Sequence, residues 1–111
     1  MGRAAITRGA CRTTYAARVE SGRYLILFYD YVADIAERRG AHRPAHLDYI
    51  GAYKRDGRVA AGGALGDPVT GAAIVFRTES EDEIRTFVED DPYSIAGLVT
   101  SWRVVPWTVV A

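Results

Sequence analysis

Several features that commonly announce a function are scarce in this 111-residue chain. Cys11 is its only cysteine, so no disulfide can close within it, and a reducing compartment is expected. His42 and His46 are its only histidines; with no third histidine or matching cysteine, a metal site is not expected, although four-residue spacing can in principle bring two imidazoles to one ion. Neither sign of charge is in excess, 14 basic residues facing 14 acidic ones, which argues against a dedicated nucleic-acid surface. No apolar run approaches the roughly 18 residues of a transmembrane helix, and the N-terminus lacks the apolar centre of a secretory signal, so no membrane partner is expected. No glycine-rich phosphate loop joins a strand to a helix, and no serine or cysteine nucleophile motif is present; no cofactor is expected.

What remains is an ordinary globular composition, 49% hydrophobic, of a length that supports one core. The first 22 residues differ from the rest, holding Arg3, Arg8, Arg12 and Arg18 against Glu20 alone, with no strand or helix periodicity. Residues 1–22 are therefore expected to be a basic, disordered N-terminal extension and residues 23–111 the folded domain. The expected location is cytoplasmic, with the mitochondrial matrix as the minor alternative that an acid-poor, Arg-rich head admits.

The apolar periodicity begins at Tyr24. Tyr24 to Tyr31 is aromatic and aliphatic with no polar alternation until Asp30, which predicts a strand covered on both faces. A helical region follows in two pieces, Ala33 to Arg39 stopped by Gly40, and Pro44 to Asp56 stopped by Gly57. Pro44 suits the first helical position, and His46, Tyr49, Ile50 and Tyr53 fall on one inward face. Arg58 to Leu65 and Gly71 to Arg77, joined by a turn cluster, predict a hairpin, in which Gly62 and Gly63 mark a bulge or a close backbone approach. Ser80 with Glu83 forms a capping box before the stripe Ile84, Phe87, Val88, giving a helix to about Glu89. Asp91, before a proline, is pushed toward extended geometry in a loop or short helical turn. The last strand is expected over Trp102 to Val110, with Pro106 at an edge or a bulge.

The order β-α-β-β-α-β predicts a ferredoxin-like α+β fold, a four-stranded antiparallel sheet with two helices on one face. Two helices cover one side of such a sheet, yet the first strand is apolar on both sides and the last carries Val105, Trp107 and Val109 opposite Trp102 and Val104. The economical cover for the second side is another copy of the chain, so a homodimer is expected.

These residues resemble the YCII-related (YciI-like) domain family over 23–110. The resemblance is carried by the Tyr-Leu-Ile-Leu-Phe-Tyr-Asp strand, Arg43-Pro44-Ala45-His46-Leu47 opening a helix, Ala61-Gly62-Gly63-Ala64-Leu65, Asp91-Pro92-Tyr93, Gly97-Leu98, and Val105-Pro106-Trp107. It implies a dimeric α+β barrel with a His/Asp pair, here His46 and Asp91, proposed as an active centre between helix and sheet. At least one relative is similar to a dehydrochlorinating lyase acting on a chlorinated hydroxyquinone, and more distant barrels include muconolactone isomerases and small monooxygenases. Gly63-Ala64 stands where many members have Gly-Pro, and the basic head lies outside the family pattern.

Two readings of the pair stay open. In the catalytic one, His46, in the first helical turn where the macrodipole disfavours a positive ring, is a neutral general base oriented by Asp91. In the structural one, His46 is a satisfied helix-start residue and Asp91 bonds local amides before Pro92. Arg43 is a candidate for an anionic substrate group or for a surface ion pair with Asp48 or Glu37. Tyr93 is a candidate pocket residue, whereas Tyr29, Tyr49 and Tyr53 read first as core. The expected function is a small cofactor-independent enzyme, lyase- or isomerase-like, moving a proton on a small phenolic or enolisable substrate. The alternative is a non-catalytic dimeric module binding a metabolite or a partner.

Overall fold

The computed structural model describes residues 19–111. The expectation for the head therefore falls, for residues 1–18 and Cys11, outside the described residues. The elements are β1 (Gly22–Tyr31), α1 (Ile35–Arg38), α2 (Arg43–Arg55), β2 (Val59–Leu65), β3 (Gly71–Phe76), α3 (Glu81–Asp90), α4 (Pro92–Ile95) and β4 (Val99–Val109). The sheet runs β2-β3-β1-β4, all neighbours antiparallel, which is the ferredoxin-like α+β arrangement.

The alternation of side chains along β1 decides what each face does. Leu25, Leu27 and Tyr29 point to the helices and join Ile74 and Phe76 of β3 and Val59 of β2. Ile84, Phe87 and Val88 of α3 complete this core, and α2 adds Tyr49, Ile50 and Tyr53 at its margin. Phe87 is its hub: its ring centroid lies 4.9 Å from that of Tyr49, 4.9 Å from Tyr53 and 5.2 Å from Phe76. Each large side chain fully buried here contributes roughly 1.5–3 kcal/mol.

Boundaries moved where local chemistry outweighed periodicity. Arg43, not Pro44, opens α2; Pro44 takes the second helical position, where a missing amide hydrogen again leaves nothing unpaired. The first helical piece shrinks to a single turn anchored by buried Ile35. β4 starts at Val99, three residues before the expected Trp102, because a register shift at Asp30/Tyr31 lets Val99 pair with Tyr31. The irregularity in β2 lies between Val59 and Ala61 rather than at its glycines. Gly62 instead provides a close approach: a Cβ there would stand 2.8 Å from Ile50 Cδ1 of α2. Pro106 lies in β4, which is an edge strand, where a missing donor is tolerated.

The other face of the sheet carries Ile26, Phe28, Val75, Val105 and Trp107, and no helix among the described residues covers it. Val105 is 37% and Trp107 40% exposed, so part of this face is apolar and open, while Tyr24, Ala60 and Val109 are buried on it in a second cluster with Val19 and Val75. No helix among the described residues is long and apolar enough to cross a membrane.

Candidate active site

His46 is placed by the start of α2, where its amide donates to the His42 carbonyl at 3.0 Å. Asp91 is placed by a sharper device. It is at once the residue that ends α3 and the N-cap of α4, with φ −66° and ψ 127°, the extended geometry that Pro92 requires of its predecessor. Between these elements the two side chains meet: His46 Nδ1 lies 2.8 Å from Asp91 Oδ1.

Asp91 has no exposed surface, and a carboxylate there survives only with its oxygens satisfied. Oδ1 also accepts the Tyr93 amide at 2.9 Å, the N-cap bond, and Oδ2 accepts the Tyr29 hydroxyl at 2.8 Å. An ionised carboxylate can only accept, so the network assigns the ring proton to Nδ1 and leaves the Nε2 lone pair free. The Tyr93 ring stacks on the imidazole at 3.8 Å between centroids and 5° between planes, fixing its rotation. The cap and the pair expected as rival readings are thus served by the same oxygen.

The free edge of His46 faces a pocket of about 230 Å³ between α2 and the sheet. Arg39, Arg43, Tyr31 and Tyr93 line it, and Gly62 and Gly63 of β2 leave one wall without side chains. Burial, and then the Asp91 charge, push the Tyr31 phenol well above its ordinary range. Tyr29 is pushed up further, by burial first and then by the charge of Asp91 and its bond to it. Burial also raises Tyr93, while the fields of Arg39 and Arg43 act in the opposite direction. All three phenols are held protonated, and Tyr29 donates to Asp91.

The structure therefore brings together all four residues singled out from the sequence, His46, Asp91, Arg43 and Tyr93. Arg43 makes no ion pair with Asp48 or Glu37. Tyr49 and Tyr53 belong to the core, Tyr49 donating to the Phe87 carbonyl at 2.9 Å. Asp30 faces away from the pocket and accepts from the Ser101 hydroxyl at 2.7 Å. His42 is exposed at the N-cap of α2, and no cluster of three metal-ligating side chains exists among the described residues. Sequence reasoning passed over Arg39, and over Tyr29 as the partner of Asp91; the helix stop at Gly40 hid the first and a separation of 62 residues the second.

The YCII-related domain family matches residues 22–108, nearly the whole described chain. The chain belongs to that family. Among solved structures, this YCII-related domain is similar to 5-chloro-2-hydroxyhydroquinone dehydrochlorinase from Burkholderia phenoliruptrix AC1100, solved in complex with 2,5-dihydroxybenzoquinone. The identity is 26%, the TM-score 0.67, and the match covers 78% of this chain and 95% of that one. It also resembles a dimeric ferredoxin-like protein of unknown function from Thermobifida fusca YX at 16% identity and a TM-score of 0.44, over 83% of this chain and 94% of that one. No curated protein matches the chain at significance.

Proposed function

We propose that this YCII-related domain is a small enzyme, lyase- or isomerase-like, in which His46 moves a proton on a small phenolic or enolisable substrate. The observation that carries the reading is the 2.8 Å bond from His46 Nδ1 to buried Asp91, which leaves Nε2 open to the pocket. Nε2 takes a proton from a substrate hydroxyl or acidic carbon, and Asp91 stabilises the imidazolium that forms. The electron pair released at the substrate closes a carbonyl or an enolate. In the lyase case the electrons of the enol or enolate C=C shift as the carbonyl closes and expel a leaving group, with its bonding pair, from the saturated carbon next to that double bond; in the isomerase case His46 returns the proton at another carbon. The likeness to the dehydrochlorinase, 26% identical, supports the lyase branch.

Turnover of 5-chloro-2-hydroxyhydroquinone, followed by chloride release, is the first assay. His46→Gln is expected to lower kcat by about 10² to 10⁴-fold while 2,5-dihydroxybenzoquinone still binds. Equal turnover by wild type and variant would overturn the assignment of His46. The module reading draws on the second job of Asp91 as the cap of α4, which gives the pair a structural use without chemistry. It gains if 2,5-dihydroxybenzoquinone binds and no acidic phenol or enol is turned over.

We further propose that the domain works as a homodimer joined through this sheet face, because its Val105 and Trp107, 37% and 40% exposed, are large apolar side chains left in the open.

A further inference from the structure

The pocket holds an uneven set of charges. Arg39 and Arg43 both line it, and among the described residues neither guanidinium has a carboxylate partner. Elsewhere in the domain Arg38 pairs with Asp34 at 3.5 Å and Arg58 with Asp56 at 2.6 Å. What sets Arg39 and Arg43 apart is that both line the one small cavity into which His46 opens. The one carboxylate at the site, Asp91, has its acceptors occupied by Tyr29, the Tyr93 amide and His46, and it is shielded from the cavity by burial. The pocket itself therefore presents two positive groups.

Size and shape narrow what fills it. About 230 Å³ falls below the roughly 300 Å³ at which drug-sized ligand pockets begin, so the ligand is of single-ring size. The backbone of Gly62 and Gly63 lines the pocket on its sheet side, and the Tyr93 ring, stacked on His46, adds an aromatic surface. A guanidinium is a planar fork matched to two oxygens sharing one charge. Arg39 is only partly exposed, so its attraction is less screened than that of a surface arginine.

We infer that the pocket takes a small planar oxyanion, a carboxylate or the vinylogous carboxylate of an acidic enol, and that Arg39 together with Arg43 selects it. This rests on the proton-transfer reading for its purpose but not for its test. The anionic edge docks on the two arginines while the remaining hydroxyl or carbon acid of the same molecule is offered to His46 Nε2. Arg39 is thereby a substrate-binding residue, at the turn that separates α1 from α2.

The test is calorimetric titration of the full chain at pH 7 with benzoate, its neutral isostere benzamide, and 2,5-dihydroxybenzoquinone. Benzoate or 2,5-dihydroxybenzoquinone is expected to bind at least about tenfold tighter than benzamide. Whichever anion binds better names the source of the oxyanion. Arg39→Gln and Arg43→Gln should each weaken that anion about tenfold, the double variant more, with thermal unfolding unchanged. Benzamide binding equal to that of both anions, anion affinity unmoved by the double variant, or no saturable binding of either anion would each overturn the inference. His46→Gln separates the two claims: if it leaves turnover intact while the arginine variants still lose the anion, the proton-transfer reading fails and the oxyanion site stands.

Discussion

At the scale of single residues, Asp91 organises the site because each of its oxygens is committed to a donor. The Tyr29 hydroxyl at 2.8 Å is the donor that no ligand can replace, since it lies beneath the carboxylate in the core. Tyr29→Phe leaves a buried charge one bond short, and the expected loss is about 1–3 kcal/mol at neutral pH, read from urea unfolding. The same phenol carries a pH signature. Its folded pKa is raised, by burial and then by Asp91, so its contribution to stability is complete below about 10, the value of an unfolded tyrosine, and is lost as pH rises toward the folded value. The wild type should therefore lose stability with increasing slope above pH 10, and the Tyr29→Phe variant should show a shallower alkaline limb. Equal limbs would mean that Tyr29 does not stay protonated in the fold. Asp91 and His46 were singled out in the sequence by the family resemblance of Asp91-Pro92-Tyr93 and Arg43-Pro44-Ala45-His46-Leu47, with the proline and the helix start adding only their backbone setting. Tyr29 was not, because a tyrosine in an apolar strand carries no mark that distinguishes a core residue from a donor aimed at a buried carboxylate.

At the scale of elements, the strands and helices were legible where short-range chemistry fixed them. Ser80 does accept the Glu83 amide, at 3.3 Å, and α3 begins where the capping box places it. The hairpin of β2 and β3 followed from its turn cluster. The start of β4 did not follow, since Val99 and Ser101 find their partners Tyr31 and Asp30 only across a register shift that leaves Thr100 between them. Glycines in the sheet show the same limit. Gly63 and Gly71 look alike in sequence, yet a Cβ at Gly63 would meet nothing within 4 Å, whereas one at Gly71 would collide with the Tyr29 carbonyl oxygen. Gly71→Ala must push β3 away from β1 and is expected to cost about 1–3 kcal/mol, while Gly63→Ala stays within about 0.5 kcal/mol of wild type. Because the strain falls on the residue that holds Asp91, Gly71→Ala should also weaken binding of 2,5-dihydroxybenzoquinone. Similar melting temperatures for the two variants would show that the β1–β3 contact is looser than described.

At the scale of the whole molecule, the sheet has one face packed and one face waiting. The apolar pattern of β1 and β4 announced this, because side chains on both faces of a strand cannot all be buried by helices on one. Four strands spaced about 4.8 Å apart, of ten, seven, six and eleven residues, make a face of roughly 19 by 28 Å on average, so two copies facing each other enclose roughly 1,060 Å² in total. That clears the roughly 1,000 Å² expected of a specific interface, and the apolar centre supplied by Ile26, Val105 and Trp107 suits a lasting one. Sedimentation at micromolar concentration should therefore give twice the 12.2 kDa of one chain. Val105 is the position at which to break it. At 37% exposed it contributes little to the fold of one copy, so Val105→Asp should leave each copy folded while placing two carboxylates in an apolar interface. The variant is expected to sediment as a folded monomer with unchanged far-ultraviolet dichroism. A wild type that sediments at 12.2 kDa, or a Val105→Asp variant that stays paired, would rule out the open sheet face as the joining surface.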